Sequence, residues 1–164
     1  MIVAILGWAL DRVSKYWIMF HLTLGEQVTV VPGILSFWST RNTGAAFGIL
    51  QQAQPLFITI ATLISMALLY AAWHWRHARP LLRIALGLLL AGAVGNFVDR
   101  VLWGEVVDFI AVQFVRFPVF NIADTCVTIG AILLFLSALQ NDRLSEQKAS
   151  SSSMPEQARE DTPQ

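Results

Sequence analysis

Three carboxylates raise the question of chemistry. Asp99, Asp108 and Asp124 stand at the ends of long apolar runs, in GNFVDRVLWGEVVDFI (95–110) and FNIAD (120–124), where an ionised acid is costly to keep unless it is used. Two carboxylates close together cannot both ionise cheaply, so they tend to hold one shared proton. The ionised member takes a proton from water while its partner polarises a substrate carbonyl. That is the chemistry of peptide hydrolysis without a metal, a covalent nucleophile or a cofactor, and we take Asp108 and Asp124 as the candidate catalytic pair of an intramembrane aspartic peptidase. The apparent pKa values of such a pair belong to both residues together. Asp124 also has a plainer reading, since an acid in the first turn of a helix complements the dipole by about 0.3–1 kcal/mol. Asp108, inside the apolar VVDFI, is harder to explain as a cap.

The other polar residues near these runs suggest support. An arginine beside a carboxylate keeps it ionised and unsuited to proton sharing, so Asp99 is expected to form a structural ion pair with Arg100; alternatively, Arg100 snorkels to the interface. Asp11 and Lys15 are spaced i, i+4 in the favourable order for a helix pair, which predicts mutual neutralisation, with a link to the site as the alternative. Asn42, Asn96 and Asn121 can donate and accept, which suits orienting carboxylates or a peptide backbone, or a turn or cap. Gly44 and Gly48 in RNTGAAFG suit a tight backbone turn. Arg41 reads as an interface anchor, Cys126 as a small core residue, and Trp8, Trp73, Trp75 and Trp103 as an interfacial belt.

The elements that must position these residues are set by an apolar composition. The 164 residues are 55% hydrophobic and 13% charged, with a mean hydropathy of +0.58, against about 25% charged in a soluble domain. That predicts a membrane protein. Lys+Arg and Asp+Glu balance at 11 each, so no net field points to nucleic acid. The single Cys126 excludes an internal disulfide and a cysteine metal cluster. His21, His74 and His77 lack metal-ligand spacing, so no metal is expected.

The expected fold is an all-α membrane protein of four spans, about 1–20, 55–75, 81–103 and 122–139, with a small extracytoplasmic β-strand cradle at 21–54. Residues 1–140 form one domain. Residues 104–121 read as a loop, and the Ser-rich 141–164 as a disordered cytoplasmic tail. A stretch of 21 residues gives about 30 Å of helix, enough to cross the hydrocarbon core. The first run is interrupted by Asp11, Arg12 and Lys15; its ten-residue apolar lead-in raises the expectation of a start upstream of Met1. Arg76, Arg79 and Arg83 between spans two and three, with Arg143 and Lys148 in the tail, predict that both termini are cytoplasmic. Asp108 and Asp124 then meet at the outer face.

Four motifs in order, DRVSKYW (11–17), RNTGAAFG (41–48), GNFVDRVLWGEVVDFI (95–110) and FNIAD (120–124), together resemble the lipoprotein signal peptidases, the type II bacterial signal peptidases. The resemblance covers all four spans and the first outer loop. It implies an aspartic endopeptidase of the bacterial inner membrane that removes the signal peptide of prolipoproteins, cutting on the N-terminal side of a cysteine that carries diacylglycerol. It implies Asp108 and Asp124 as catalytic residues. It also implies Asp11, Lys15, Asn42, Gly44, Gly95, Asn96, Asp99, Arg100, Asn121 and Ala123 as supporting positions that shape the site or contact substrate. No cofactor is expected, the partners are diacylglyceryl-prolipoproteins and membrane lipids, and the enzyme is expected to be monomeric. A signal peptide is itself a membrane helix, so carboxylates at the outer interface would meet the scissile bond where it lies. The competing reading is a small transporter or proton relay through Asp99, Asp108 and Asp124, which predicts acids spread along a path through the membrane. A purely structural subunit is the third reading, and the density of polar residues stands against it.

Overall fold

The structure, a computed structural model, describes residues 1–44 and 54–152, with side chains through 140. Gly48 and the end of the expected 21–54 cradle lie outside the described residues, as does the chain after 152. In order come α1 (Ile2–His21), β1 (Gln27–Val31), β2 (Leu35–Asn42), α2 (Gln54–His74), α3 (Pro80–Trp103), β3 (Val106–Val112) and α4 (Ile122–Ser152). The protein is therefore helix-rich with one small sheet. Among the described residues, three stretches are long and apolar enough to cross a membrane: Gln54–His74, Pro80–Trp103 and Ile122–Gln140.

The fourth helix, α1, is built inside out. Its buried side chains include Asp11, Arg12 and Lys15, while Ile5, Leu6, Leu10 and Val13 are exposed. A soluble amphipathic helix turns its apolar stripe to the core; this one turns its charges there.

The helices gather around α3, which packs against α1, α2 and α4. Its buried stripe is mostly small: Ala85, Gly87, Ala91, Gly92 and Gly95. Small residues let helix backbones approach closely where lipid offers no hydrophobic driving force. At Gly95 the approach involves three helices, since a methyl group there would sit 2.8 Å from Asp11 Oδ2 and 3.0 Å from Ala123 Cβ. Gly95 is thus the point where α1, α3 and α4 meet.

At the C-terminal end of α3, Gly104 adopts φ +75° and its N–H caps the helix on Arg100 O. That left-handed turn, cheap only for glycine, sends the chain into β3. The expected loop at 104–121 is therefore corrected: Val106–Val112 is the third strand of an antiparallel sheet of order β1-β2-β3, with Thr40 opposite Asp108 and Asn42 opposite Val106. The apolar run VVDFIAV carried no alternation because the strand is buried on both faces over most of its length, and such a run has no period to read. Phe120 then folds back on β3, its N–H donating to Ile110 O at 3.1 Å and its carbonyl accepting from Ile110 N–H at 2.7 Å. This return delivers the start of α4 beside Asp108.

The expected tail boundary also moves. Helix α4 runs on to Ser152, because NDRLSEQKAS is rich in good helix formers that extend an existing helix at little cost.

Candidate functional site

Asp108 projects from the middle of β3 and Asp124 from the first turn of α4, and both line one cavity of about 490 Å³. Asn42, Asn96 and Arg100 share its polar side; Phe117, Val119, Val127 and Ile129 make the apolar side.

All four carboxylate oxygens accept a hydrogen bond. Asn42 Nδ2 donates to Asp108 Oδ2 at 3.0 Å and Asn121 Nδ2 to Asp108 Oδ1 at 2.7 Å. Asn96 Nδ2 donates to Asp124 Oδ1 at 2.7 Å, and the Asn121 backbone N–H to Asp124 Oδ2 at 3.2 Å. Asn121 Oδ1 in turn accepts from Asp124 N–H at 2.9 Å. Asn121 and Asp124 thus cap α4 reciprocally, in the manner of a capping box. The cap and the functional reading of Asp124 coexist, since Oδ2 serves the cap and Oδ1 turns to Asn96.

Asp108 is only 3% exposed. Burial, then the nearby charge of Asp124, pushes its pKa up to about 7, against the opposing pull of Asn42, Asn121 and Lys15. A carboxyl group in that range is available as a proton donor at neutral pH.

Behind the cavity lies a buried ion cluster of two acids and two bases. Lys15 Nζ is 3.0 Å from Asp11 Oδ2 and 2.7 Å from Asp99 Oδ2, and Arg12 pairs with Asp11 at 3.0 Å and with Asp99. Lys15 also donates a hydrogen bond to Asn96 Oδ1 at 3.1 Å. The cluster therefore touches the site through Asn96. It also holds backbone, because Asp11 Oδ1 accepts from Ala123 N–H at 3.0 Å and Asp99 Oδ2 from Val107 N–H at 3.3 Å.

The expected Asp99–Arg100 pair is not formed. Neighbouring helix residues do not face each other, and Asp99 turns to α1 while Arg100 turns to the cavity. There Arg100 donates to Gly44 O and Asn96 O, both at 3.3 Å, and lies over the Phe57 ring at 5.2 Å. Gly44 N–H donates to Asn42 Oδ1 at 3.0 Å, an Asx turn that fixes the amide against Asp108. Arg41 pairs with Glu105 at 3.3 Å. Cys126 is buried. Arg12 is the residue that sequence reasoning passed over; its signal was a second cation inside an apolar run, beside Asp11.

Asn42, Gly44, Asn96 and Arg100 therefore line the cavity, Asp11, Lys15 and Asp99 belong to the cluster behind it, and Gly95, Asn121 and Ala123 touch one or the other, through Arg12, Asp108 and Asp11 respectively.

The family model described as Signal peptidase (SPase) II matches residues 3–140. The chain is 45% identical over 142 residues to a protein of Shouchella clausii named lipoprotein signal peptidase, covering 87% of this chain and 93% of that one. A protein of the same name from Symbiobacterium thermophilum is 40% identical over 144 residues, covering 87% and 95%. A solved structure described as a bacterial membrane enzyme at 2.3 Å resolution superposes with a TM-score of 0.78 at 39% identity, over 86% of this chain and 87% of that one. A second, at 1.9 Å resolution, gives 0.74 at 40% identity, over 84% and 90%.

Proposed function

This chain belongs to the signal peptidase II family, and on that premise we propose that it removes the signal peptide of prolipoproteins by an aspartic mechanism in which Asp108 and Asp124 activate water. The observation that carries the reading is the shared cavity in which every oxygen of the two carboxylates accepts a hydrogen bond. Such fixed acids need no reorganisation as charge develops.

At neutral pH the pair holds one proton, in keeping with the raised pKa of Asp108. The ionised carboxylate takes a proton from water as the water oxygen bonds to the scissile carbonyl carbon. The protonated carboxyl gives its proton to the carbonyl oxygen. Collapse of the tetrahedral species returns a proton to the amide nitrogen as the C–N bond breaks. A new carboxyl group is left on the signal peptide and a free amine on the lipid-bearing cysteine.

The substrate brings a membrane helix and two acyl chains, and both features suit an apolar cavity wall beside the carboxylates. We place the protein in the bacterial inner membrane with four spans, both termini cytoplasmic and the cavity at the outer face. The outward apolar face of α1 supports a fourth span, since only a lipid surround makes that face inexpensive. Arg76, Arg79 and Arg83 support the orientation. The proton-relay alternative needs free acids along a path, whereas Asp99 is held by Arg12 and Lys15.

The test is the purified protein in bilayers with a prolipoprotein whose cysteine does or does not carry diacylglycerol. Mass spectrometry should find a new N-terminus at that cysteine for the modified substrate alone. Cleavage elsewhere, or equal cleavage of both forms, would overturn the substrate assignment.

A further inference from the structure

Two turns of the sheet lie side by side beyond the cavity. Gly33 N–H donates to Gln113 Oε1 at 3.1 Å, and Gln113 N–H donates to Ile34 O at 2.9 Å. The β1–β2 turn and the turn after β3 are thereby fastened into one edge. That edge is apolar and uncovered: Phe114 is 73% exposed, Ile34 54% and Val115 50%. Arg116 is the one charge in the segments 30–34 and 113–117; it is exposed and makes no ion pair with any described residue.

The height of the edge follows from Phe117, which lines the cavity together with Thr128 and Ile129 of α4. Those residues lie about two turns inside an apolar helix that starts at Ile122. The edge therefore stands level with the first turns of a membrane-capable helix. Large apolar side chains around a single unpaired cation, at that height, match a hydrocarbon boundary below a layer of lipid phosphates. A protein partner would have few polar groups to register on, because the Gln113 side-chain oxygen and backbone N–H are already used within the edge.

We propose that this edge is a lipid-binding surface: Ile34, Phe114 and Val115 enter the outer leaflet and Arg116 binds the phosphate of an anionic headgroup. Asp108 lies on the strand that runs straight into this turn, so the grip sets the depth of the carboxylates in the bilayer. The inference rests on the membrane placement proposed above and is independent of the carboxylate pair.

The test uses the full chain in bilayers, in a Cys126→Ala background, with a fluorophore on Val115→Cys or, as a reference, on Leu63→Cys of α2, where Leu63 is 62% exposed. Nitroxide-bearing lipids and aqueous iodide serve as quenchers. Both labels should be quenched by the lipid nitroxide and shielded from iodide, and at 115 nitroxide phosphatidylglycerol should quench more than nitroxide phosphatidylcholine. Arg116→Gln should reduce that preference about fivefold, the effect of one cation near an anionic surface. Lipid quenching at 63 with only iodide quenching at 115 would overturn the edge alone. Loss of lipid quenching at both sites would overturn the membrane placement and the edge with it. Equal quenching by the two lipids before substitution would overturn the role given to Arg116. A disulfide-linked dimer through 115 that excludes lipid would assign the patch to a second copy.

Discussion

Asp11 Oδ1 accepts a hydrogen bond from the backbone N–H of Ala123 at 3.0 Å, one residue before Asp124. Asp99 repeats the relationship with Val107, one residue before Asp108. The buried ion cluster thus holds the main chain directly ahead of each member of the pair, and holds Asn96 as well through Lys15. An element that looked like internal neutralisation is also the foundation of the site.

Asp99→Asn keeps an acceptor for Val107 but leaves Arg12 and Lys15 with one carboxylate between them. Breaking a buried pair in this way costs about 3–5 kcal/mol. Protein yield and unfolding temperature should fall at least as much as turnover per folded molecule. A normal yield with abolished turnover would move Asp99 into the chemistry.

Gly95→Ala drives a methyl group to 2.8 Å from Asp11 Oδ2 and 3.0 Å from Ala123 Cβ. Overpacking of this kind costs about 1–3 kcal/mol, and here it also presses on the residue before Asp124. Thermal unfolding in detergent should register that loss, and kcat should fall with KM little changed. Unchanged stability and kcat would mean that the helices do not meet this closely.

The pH profile tests Asn42. Its hydrogen bond stabilises the ionised form of Asp108 and so lowers a pKa that burial and Asp124 have raised to about 7. Removing it in Asn42→Ala should raise that pKa further, by about one unit. The alkaline limb of kcat/KM, where the pair loses its shared proton, should move to higher pH. A limb that stays in place or moves down would separate Asn42 from the titrating acid.

Membrane orientation can be read from a reporter fused after Gln140. The proposed placement predicts a cytoplasmic signal, and an external one would reverse the assignment of the cavity to the outer face.

The family was legible in the ordered motifs, and the apolar runs located α2, α3 and the start of α4 to within a residue or so. Periodicity could not give β3, because a strand buried on both faces leaves no alternation. Nor could it give the partner of Asp99. Adjacency suggested Arg100, but a helix turns successive side chains about 100° apart, and the true partners lie on α1, far away in sequence. The three asparagines were open between cap and carboxylate holder; Asn121 is both, which local sequence reasoning treats as alternatives. Arg12 was hidden for the same reason as β3, since its value depends on what it packs against.

The proposed mechanism requires Asp108 and Asp124 to work as one catalytic unit. Its most direct test is turnover of a diacylglyceryl-modified prolipoprotein by Asp108→Asn and by Asp124→Asn, each purified and checked for an unfolding temperature near that of the parent. Each substitution alone should lower kcat by about 10⁴-fold or more, the scale seen when residues that act as a unit are broken. Cleavage retained near the parent rate by either folded variant would rule out the two carboxylates as the catalytic pair.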